Sequence, residues 1–360
     1  MADPAALSDA PPAYAARVRR HGKKLVLSLV LAAAFAWALS RGGLPIIPPA
    51  SAFAEVSGAS IAAYVALMLG MQWFRASRWR FLLAPIAEVP LRRILTVSYI
   101  GFAAILLLPL RAGEVVRPYM IQQRGKLSLA AATGTIGAER IIDGLFLTLL
   151  LGICLPFSQP LSPLPDRIGK LEIPVAAVPF YAYLALGGFL AAFAAMAIFY
   201  LRPDFGRRLT ERTLGLVSKK LAGKAADFVT RLAEGLRFLP SARYFGLFLL
   251  ETALYWGLNA ASMYVLAVGC GLEGMTLIRA CVVMGVLGVG ILVPAGPGLF
   301  GAFQWSMYAA LAMFYAHDVV LGPGAAYVFL AYAIQFAWHL VSGAACLLLD
   351  REVSVAQQQA

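Results

Sequence analysis

The stretch AAATGTIGAERIIDGLFLTLLLGICLPF, from Ala130 to Phe157, is long enough to cross a bilayer as one helix, yet it carries Glu139, Arg140 and Asp143. About 20 apolar residues span the hydrocarbon core. Each ionisable group at mid-bilayer costs roughly 2.5–3.5 kcal/mol, so three left unpaired would cost about 8–10 kcal/mol and are tolerated only when paired or lining a polar cavity. Glu139 and Asp143, four apart, share one helix face, and Arg140 reaches Asp143 from three apart. The stretch is expected to bury a polar site, either a structural salt bridge between helices or a place where substrate or a coupling ion is met.

Working outward, the chain of 360 residues is 61% hydrophobic and only 13% charged, which sets it apart from soluble domains. Its mean hydropathy is +0.78. The length gives room for about seven to nine membrane segments and no independent soluble domain. The first apolar run follows Arg17, Arg19, Arg20, Lys23 and Lys24 and continues to about Ser40, with others after it, so it reads as a retained helix rather than a cleaved signal. Cys154, Cys270, Cys281 and Cys346 lie scattered without metal-ligand spacing. No zincin, P-loop or paired aspartate-rich motif is present, so neither catalysis nor a cofactor is expected. The net charge of +12 fits contact with anionic headgroups rather than nucleic acid.

Apolar runs of helical length extend from Lys24 to Ser40, Ile61 to Trp73, Ala130 to Phe157, Val175 to Leu201, Phe245 to Cys270, Leu299 to Tyr315 and Ala325 to Leu349. Two further runs, Ile94 to Leu110 and Ala280 to Val293, end in Pro and Gly, where a helix cannot continue cleanly. If the first of these crossed fully, the basic stretch from Arg202 to Arg243 would face outward, against the positive-inside bias. A re-entrant run removes the conflict. The inner loops then hold Arg75, Arg78, Arg80, Arg92 and Arg93, and the outer face keeps Arg41, Arg167, Lys170 and Arg279. Both broken runs place Gly four residues after Pro, at Pro109 with Gly113 and Pro294 with Gly298.

The expected fold is an all-α integral membrane protein of about seven spanning helices plus two re-entrant broken helices, arranged as two inverted-repeat halves. The expected division is 1–56 for the N-terminal tail, first helix and loop, 57–201 for the first half, 202–243 for a connector, 244–349 for the second half and 350–360 for a short tail. In the connector, Leu214, Val217, Leu221, Ala225, Phe228, Leu232 and Leu236 oppose Arg212, Lys219, Lys220, Lys224 and Arg231, the pattern of a basic amphipathic helix at the cytoplasmic interface. The N-terminus is expected to be cytoplasmic, in the inner membrane.

Three more stretches could meet a ligand. Pro109 to Pro118 sets Arg111, Glu114 and Arg117 around a helix break, and the planar fork of arginine suits phosphate oxygens, although a positive-inside flank gives the same residues. Pro294, Gly296, Pro297, Gly298, Gly301 and Gln304 form an uncharged break that reads as a gate or cavity wall, or as a surface for close helix packing. Glu251, near Tyr255, Trp256 and Asn259, reads as a lone buried acid or a headgroup-level one, and His339 as a satisfied bundle residue.

Four marks, in order and spacing, carry a resemblance: Arg78-Trp79-Arg80 with Leu82-Leu83, the Pro109 to Arg117 stretch, Glu139-Arg140 with Asp143, and Pro294 to Phe303. The chain resembles the integral-membrane flippase-like domain of lysylphosphatidylglycerol synthases and their stand-alone relatives, over about Met68 to Cys346. The resemblance implies lipid handling, with fused members moving aminoacylated phosphatidylglycerol between leaflets and others associated with hopanoid or polyprenyl-linked glycan pathways. It carries over to Arg111, Glu114, Arg117, Glu139, Arg140, Asp143 and the Pro294 to Gly298 break. Gln304 departs from the acid the family often has there, and no aminoacyl-transfer domain is expected in this chain. The expectation is a translocase for a phosphate-bearing, polyprenyl or hopanoid-type lipid, with membrane lipids as partners and a homo-oligomer or a lipid-biosynthesis enzyme left open. An intramembrane enzyme or accessory factor acting on a lipid carrier, and a secondary transporter of a small polar solute, are the alternatives.

Overall fold

The structure is a computed structural model describing residues 26, 29–108, 113–122, 127–168, 170–172, 175–202, 204–205, 208, 235–239, 241–293 and 296–350. Pro109, Arg111, Pro294 and most of the 202–243 connector, with its amphipathic pattern, lie outside the described residues. In chain order the helices are α1 (Leu29–Arg41), α2 (Gly58–Ser77), α3 (Trp79–Leu83), α4 (Leu91–Leu107), α5 (Val116–Ile121) and α6 (Leu129–Phe157). They continue as α7 (Val178–Leu201), α8 (Ala242–Gly269), α9 (Leu277–Gly290), α10 (Ala302–Ala312), α11 (His317–Leu321) and α12 (Pro323–Leu349). A two-residue antiparallel ladder pairs Arg167–Ile168 with Leu171–Glu172. The protein is an all-α membrane protein, and three helical segments, Leu129–Phe157, Val175–Ile198 and His317–Leu349, are long and apolar enough to cross a bilayer.

Helix starts follow local chemistry. Side-chain oxygens of Ser57, Ser128, Ser241 and Thr276 accept backbone N–H groups in the first turns of α2, α6, α8 and α9, which satisfies donors that have no partner within the helix. The helices then pack antiparallel. In the α2–α8 pair, the Ser57 N–H donates to the Gly269 carbonyl at 2.9 Å, and at the other end Ser77 donates to Glu251 at 2.7 Å. In the α4–α12 pair, Tyr99 meets Trp338 and Phe102 meets His339 edge to face. The α6–α9 pair is close because Gly285 and Gly288 leave room for Leu151 and Leu147.

Both broken runs reverse direction. After α4 the chain folds back along it: Gly113 lies against the backbone of Ala104, Gly101 lies against the Arg117 side chain, and Arg93 donates to the Met120 carbonyl at 3.0 Å. A Cβ at Gly113 would sit 2.2 Å from the Ala104 carbonyl carbon, so this hairpin tolerates only glycine there. After α9, Gly290 lies against Ser306, and Arg279 near the start of α9 stands over the Phe314 ring, 5.3 Å away. The turn between has positive φ at Gly298 and Gly301.

One expectation is corrected. The run Leu299 to Tyr315 is not a crossing: its helix, α10, has 11 residues, about 16 Å long, against a hydrocarbon core of about 30 Å. It is the return arm of the second hairpin. In consequence α12 ends at Asp350 beside Arg93, at the same end of the bundle as the start of α4.

Two apolar clusters fill the interior. One gathers residues such as Trp79, Val97, Ile142 and Phe238 around the first hairpin. The other gathers Met71, Leu147, Val283 and Met307 around the second. Leu236, on the expected apolar face of the connector, is buried in the first cluster.

Gly113→Ala is expected to lower the thermal midpoint of the purified protein, by about 1–3 kcal/mol of stability. Gly187→Ala, in α7 with nothing within 4 Å of its added carbon, should leave it unchanged or raise it. Equal midpoints for the two variants would remove the backbone contact that defines the first hairpin.

Candidate functional site

Glu139 and Asp143 project from one face of α6 into the space between the two apolar clusters, and Arg78 and Arg117 from two other places in the chain converge on them with Arg140 of α6 itself. Arg78, at the junction of α2 and α3, donates to both Asp143 oxygens at 2.6 Å, and its Nη1 also donates to Thr252 of α8 at 3.0 Å. Arg117 of α5 donates to Glu139 through both terminal nitrogens at 3.0 and 3.1 Å. Arg140 bonds Glu139 from the next residue and lies 3.6 Å from Asp143. Arg78 and Glu139 are fully buried. Ions out of water are tolerable only with this kind of two-pronged geometry, because the desolvation of each otherwise exceeds the attraction between them.

Aromatic rings complete the shell. The Arg117 guanidinium lies 4.3 Å from the Trp79 ring centre, and Arg78 lies 4.8 Å from that of Tyr255. The Trp79 indole N–H is itself satisfied by Thr135 at 2.9 Å.

Beside this network is a cavity of ≈ 150 Å³ bounded by α2, α4, α6, α8, α9, α12 and the second hairpin turn. Its polar wall includes Arg75, Arg140, Asn259, Gln335 and His339, and its apolar wall includes Phe102, Leu287 and Phe303. Among the described residues, no Asp or Glu lines it. Arg75 approaches Nε2 of His339 at 3.2 Å and the Gln72 oxygen at 3.5 Å. Nδ1 of His339 is 2.6 Å from the Gln335 carbonyl, which only accepts, so the ring proton belongs on Nδ1. Nε2 then accepts from Gln72 and Arg75.

The expected site residues divide accordingly. Arg140 lines the cavity; Gly298 does so too, from the turn before α10. Glu139, Asp143 and Arg117 do not line it and are engaged with one another or with Arg78 and Arg140. Glu114 lies within electrostatic range of Arg140 and has an interaction of its own. Glu251 is not a lone acid: Arg80 donates to it at 2.6 Å and Ser77 at 2.7 Å. Gln304 accepts the Gly301 N–H at 2.8 Å and so caps α10. Gly296 and Gly301 pack against Ala32 and Phe35 of α1, while Pro297 opens the turn.

Sequence reasoning placed Arg75 and Arg78 among the inner-loop charges, and the structure corrects this. The first helix of the pair runs on to Ser77, so Arg75 is helical and Arg78 enters the core. A signal was present in the spacing of Gln72, Arg75 and Arg78 by threes, which sets three polar groups along one face of an apolar helix.

An internal ion network and an arginine-lined cavity within a helical bundle place the chain in the class of all-α membrane proteins. The family described as the lysylphosphatidylglycerol synthase TM region matches residues 25–343, and the chain belongs to it. No curated protein and no solved structure matched the chain.

Arg78→Met leaves Asp143 without its two-pronged partner and is expected to cost about 3–5 kcal/mol. Adding Asp143→Leu should recover much of that. Arg80→Ala removes a partly exposed arginine from the buried Glu251, which keeps the Ser77 hydroxyl, and should cost less, about 1–3 kcal/mol. Melting curves in detergent check the order, and an Arg78→Met variant as stable as Arg80→Ala would contradict it.

Proposed function

We propose that this protein is an inner-membrane lipid translocase, which passes a phosphate-bearing headgroup through the arginine-lined cavity while the hydrocarbon chain stays in an apolar crevice. The family supports the coarser part of this reading, a membrane protein related to lipid handling. The finer part rests on one observation. The end of α9 separates two spaces that differ in polar content: Leu287, Gly288 and Ile291 border the arginine-lined cavity, whose wall mixes polar and apolar groups, whereas Val286, Val289 and Gly290 line a nearly apolar crevice of ≈ 540 Å³. The crevice is walled by residues such as Phe35, Leu151, Ala185 and Trp305, and reaches the exposed Tyr181 and Leu184. A lipid needs such a divided path, because its head is costly to bury in hydrocarbon and its tail is not.

Inverted halves would supply the alternation, and the packing is compatible with them. Exchanging α2 with α8, α4 with α9, α5 with α10 and α6 with α12 leaves the α2–α8 contact in place and converts α4–α12 into α9–α6 and α4–α5 into α9–α10, while the α6–α7 contact is left without a counterpart. Arg93 is the third residue of α4 and pairs with Asp350 just past α12. Arg279 is the third residue of α9 and donates to the Ser158 carbonyl just past α6 at 3.1 Å. Rocking of such halves around a central site is a recurrent way to expose it to either side.

Two experiments test the reading. Reconstituted full-length protein should speed the transfer of a fluorescent phospholipid across liposome leaflets, read by a quencher added outside, without changing its mass. Transfer no faster than in empty liposomes would overturn it, and a lipid of altered mass would point to an enzyme. For orientation, Cys at Glu88 and at Gln159, both exposed, should label from opposite sides of intact cells in a variant freed of native cysteines. Only Gln159→Cys should react with an impermeant reagent from outside; reaction at Glu88→Cys would reverse the proposed topology.

A further inference from the structure

We propose that the cavity is a binding site for a phosphate-type oxyanion, held between the guanidinium groups of Arg75 and Arg140. Four buried or half-buried guanidinium groups, of Arg75, Arg78, Arg117 and Arg140, lie in or beside the network built on the carboxylates of Glu139 and Asp143, with Glu114 within electrostatic range of Arg140. Arg78 and Arg117 are each committed to one carboxylate by a two-pronged pair. Arg140 shares Glu139 Oε1 with both of them.

Among the described residues, Arg75 contacts no carboxylate. Its partners among the described residues are the Gln72 oxygen, the neutral His339 nitrogen and the Phe102 ring, 4.2 Å away. A cation–π contact and neutral acceptors offset only part of the cost of a guanidinium held in a low-dielectric interior. The two arginines with charge left to share are also the two that line the cavity, whose wall holds no acid. Trp256, another wall residue, has a buried indole N–H without a partner.

Gln72 and His339 act as positioning residues for Arg75. The His339 ring, fixed by its Nδ1 bond to the Gln335 carbonyl, offers Nε2 to both Gln72 and Arg75. This leaves donors of Arg75 for a ligand, since a guanidinium carries five. A ligand with a cationic head alone finds no acid here among the described residues; of the expected anion-binding pair, Arg117 is committed to Glu139 and Arg111 lies outside the described residues. The assignment deepens the translocase reading and rests on it for a lipid as the source of the phosphate; the anion site itself stands without it.

The test uses full-length protein in detergent micelles, with inorganic phosphate, phosphatidic acid or phosphatidylcholine as probes, read by thermal midpoint and by native mass spectrometry. Phosphatidic acid should raise the midpoint and be retained, whereas phosphatidylcholine should do so far less. Arg75→Gln orphans no acid, so it should melt at or above the wild-type temperature without ligand, yet bind phosphatidic acid about tenfold to a hundredfold more weakly. Arg75→Lys keeps the charge without the fork and should fall between, and it carries the test if the glutamine variant does not fold. An effect of inorganic phosphate alone, lost in Arg75→Gln, upholds the anion site while removing its lipid source. Retained anion binding in a protein without leaflet transfer would fault the translocase reading and leave the site intact. Equal binding of phosphatidic acid by wild type and both Arg75 variants, or none by wild type, overturns the proposal.

Discussion

Two carboxylates on α6, buried from water, set the terms for the rest of the structure. Neither Glu139 nor Asp143 could remain ionised in the bundle without Arg117 and Arg78, and each arginine arrives on a different element. The pairs therefore fix where α2 ends and how the first hairpin returns. Non-helical backbone at membrane depth survives only when covered by protein or lining a cavity. Here the return arm is pinned by Arg117 to Glu139 and by Arg93 to the Met120 carbonyl. The cluster is in this way divided: the buried pairs hold the helices, and the half-exposed Arg140 turns to the cavity.

Such a division also explains why the cavity carries positive charge. An internal network that neutralised itself completely would present a ligand with nothing but dipoles. Leaving Arg75 against a neutral histidine and an aromatic ring keeps an unspent cation beside the space a headgroup would enter. The same helix end, α9, borders the apolar crevice on its other face, so in the proposed reading head and tail would be handled on either side of one helix end.

Much of the fold could be read from residue patterns. The four-residue spacing of Glu139 and Asp143 placed both on one face, and the Pro and Gly breaks marked both hairpins. What escaped was long-range. Arg78 and Arg75 read as loop charges because positive residues at the end of an apolar run are ordinarily topological; only the partners on α6 and α12, some 65 and 264 residues away, reveal them as internal. Arg117 read as a ligand-binding fork for the complementary reason, since nothing local shows that its fork is already filled. The run from Leu299 to Tyr315 had the composition of a crossing but is interrupted by Gly301 in a positive-φ conformation, which shortens its helix.

The central claim is that the internal ion pairs are structural and that Arg75 with Arg140 receives the phosphate of a lipid. An experimentally determined structure of the full-length protein in nanodiscs containing phosphatidic acid tests it most directly. The account predicts phosphate density within hydrogen-bonding distance of both Arg75 and Arg140, with the Arg78–Asp143 and Arg117–Glu139 pairs intact. Phosphate bound instead at Arg117 or Arg78 with those pairs broken, or a cavity filled by an acyl chain, would contradict it.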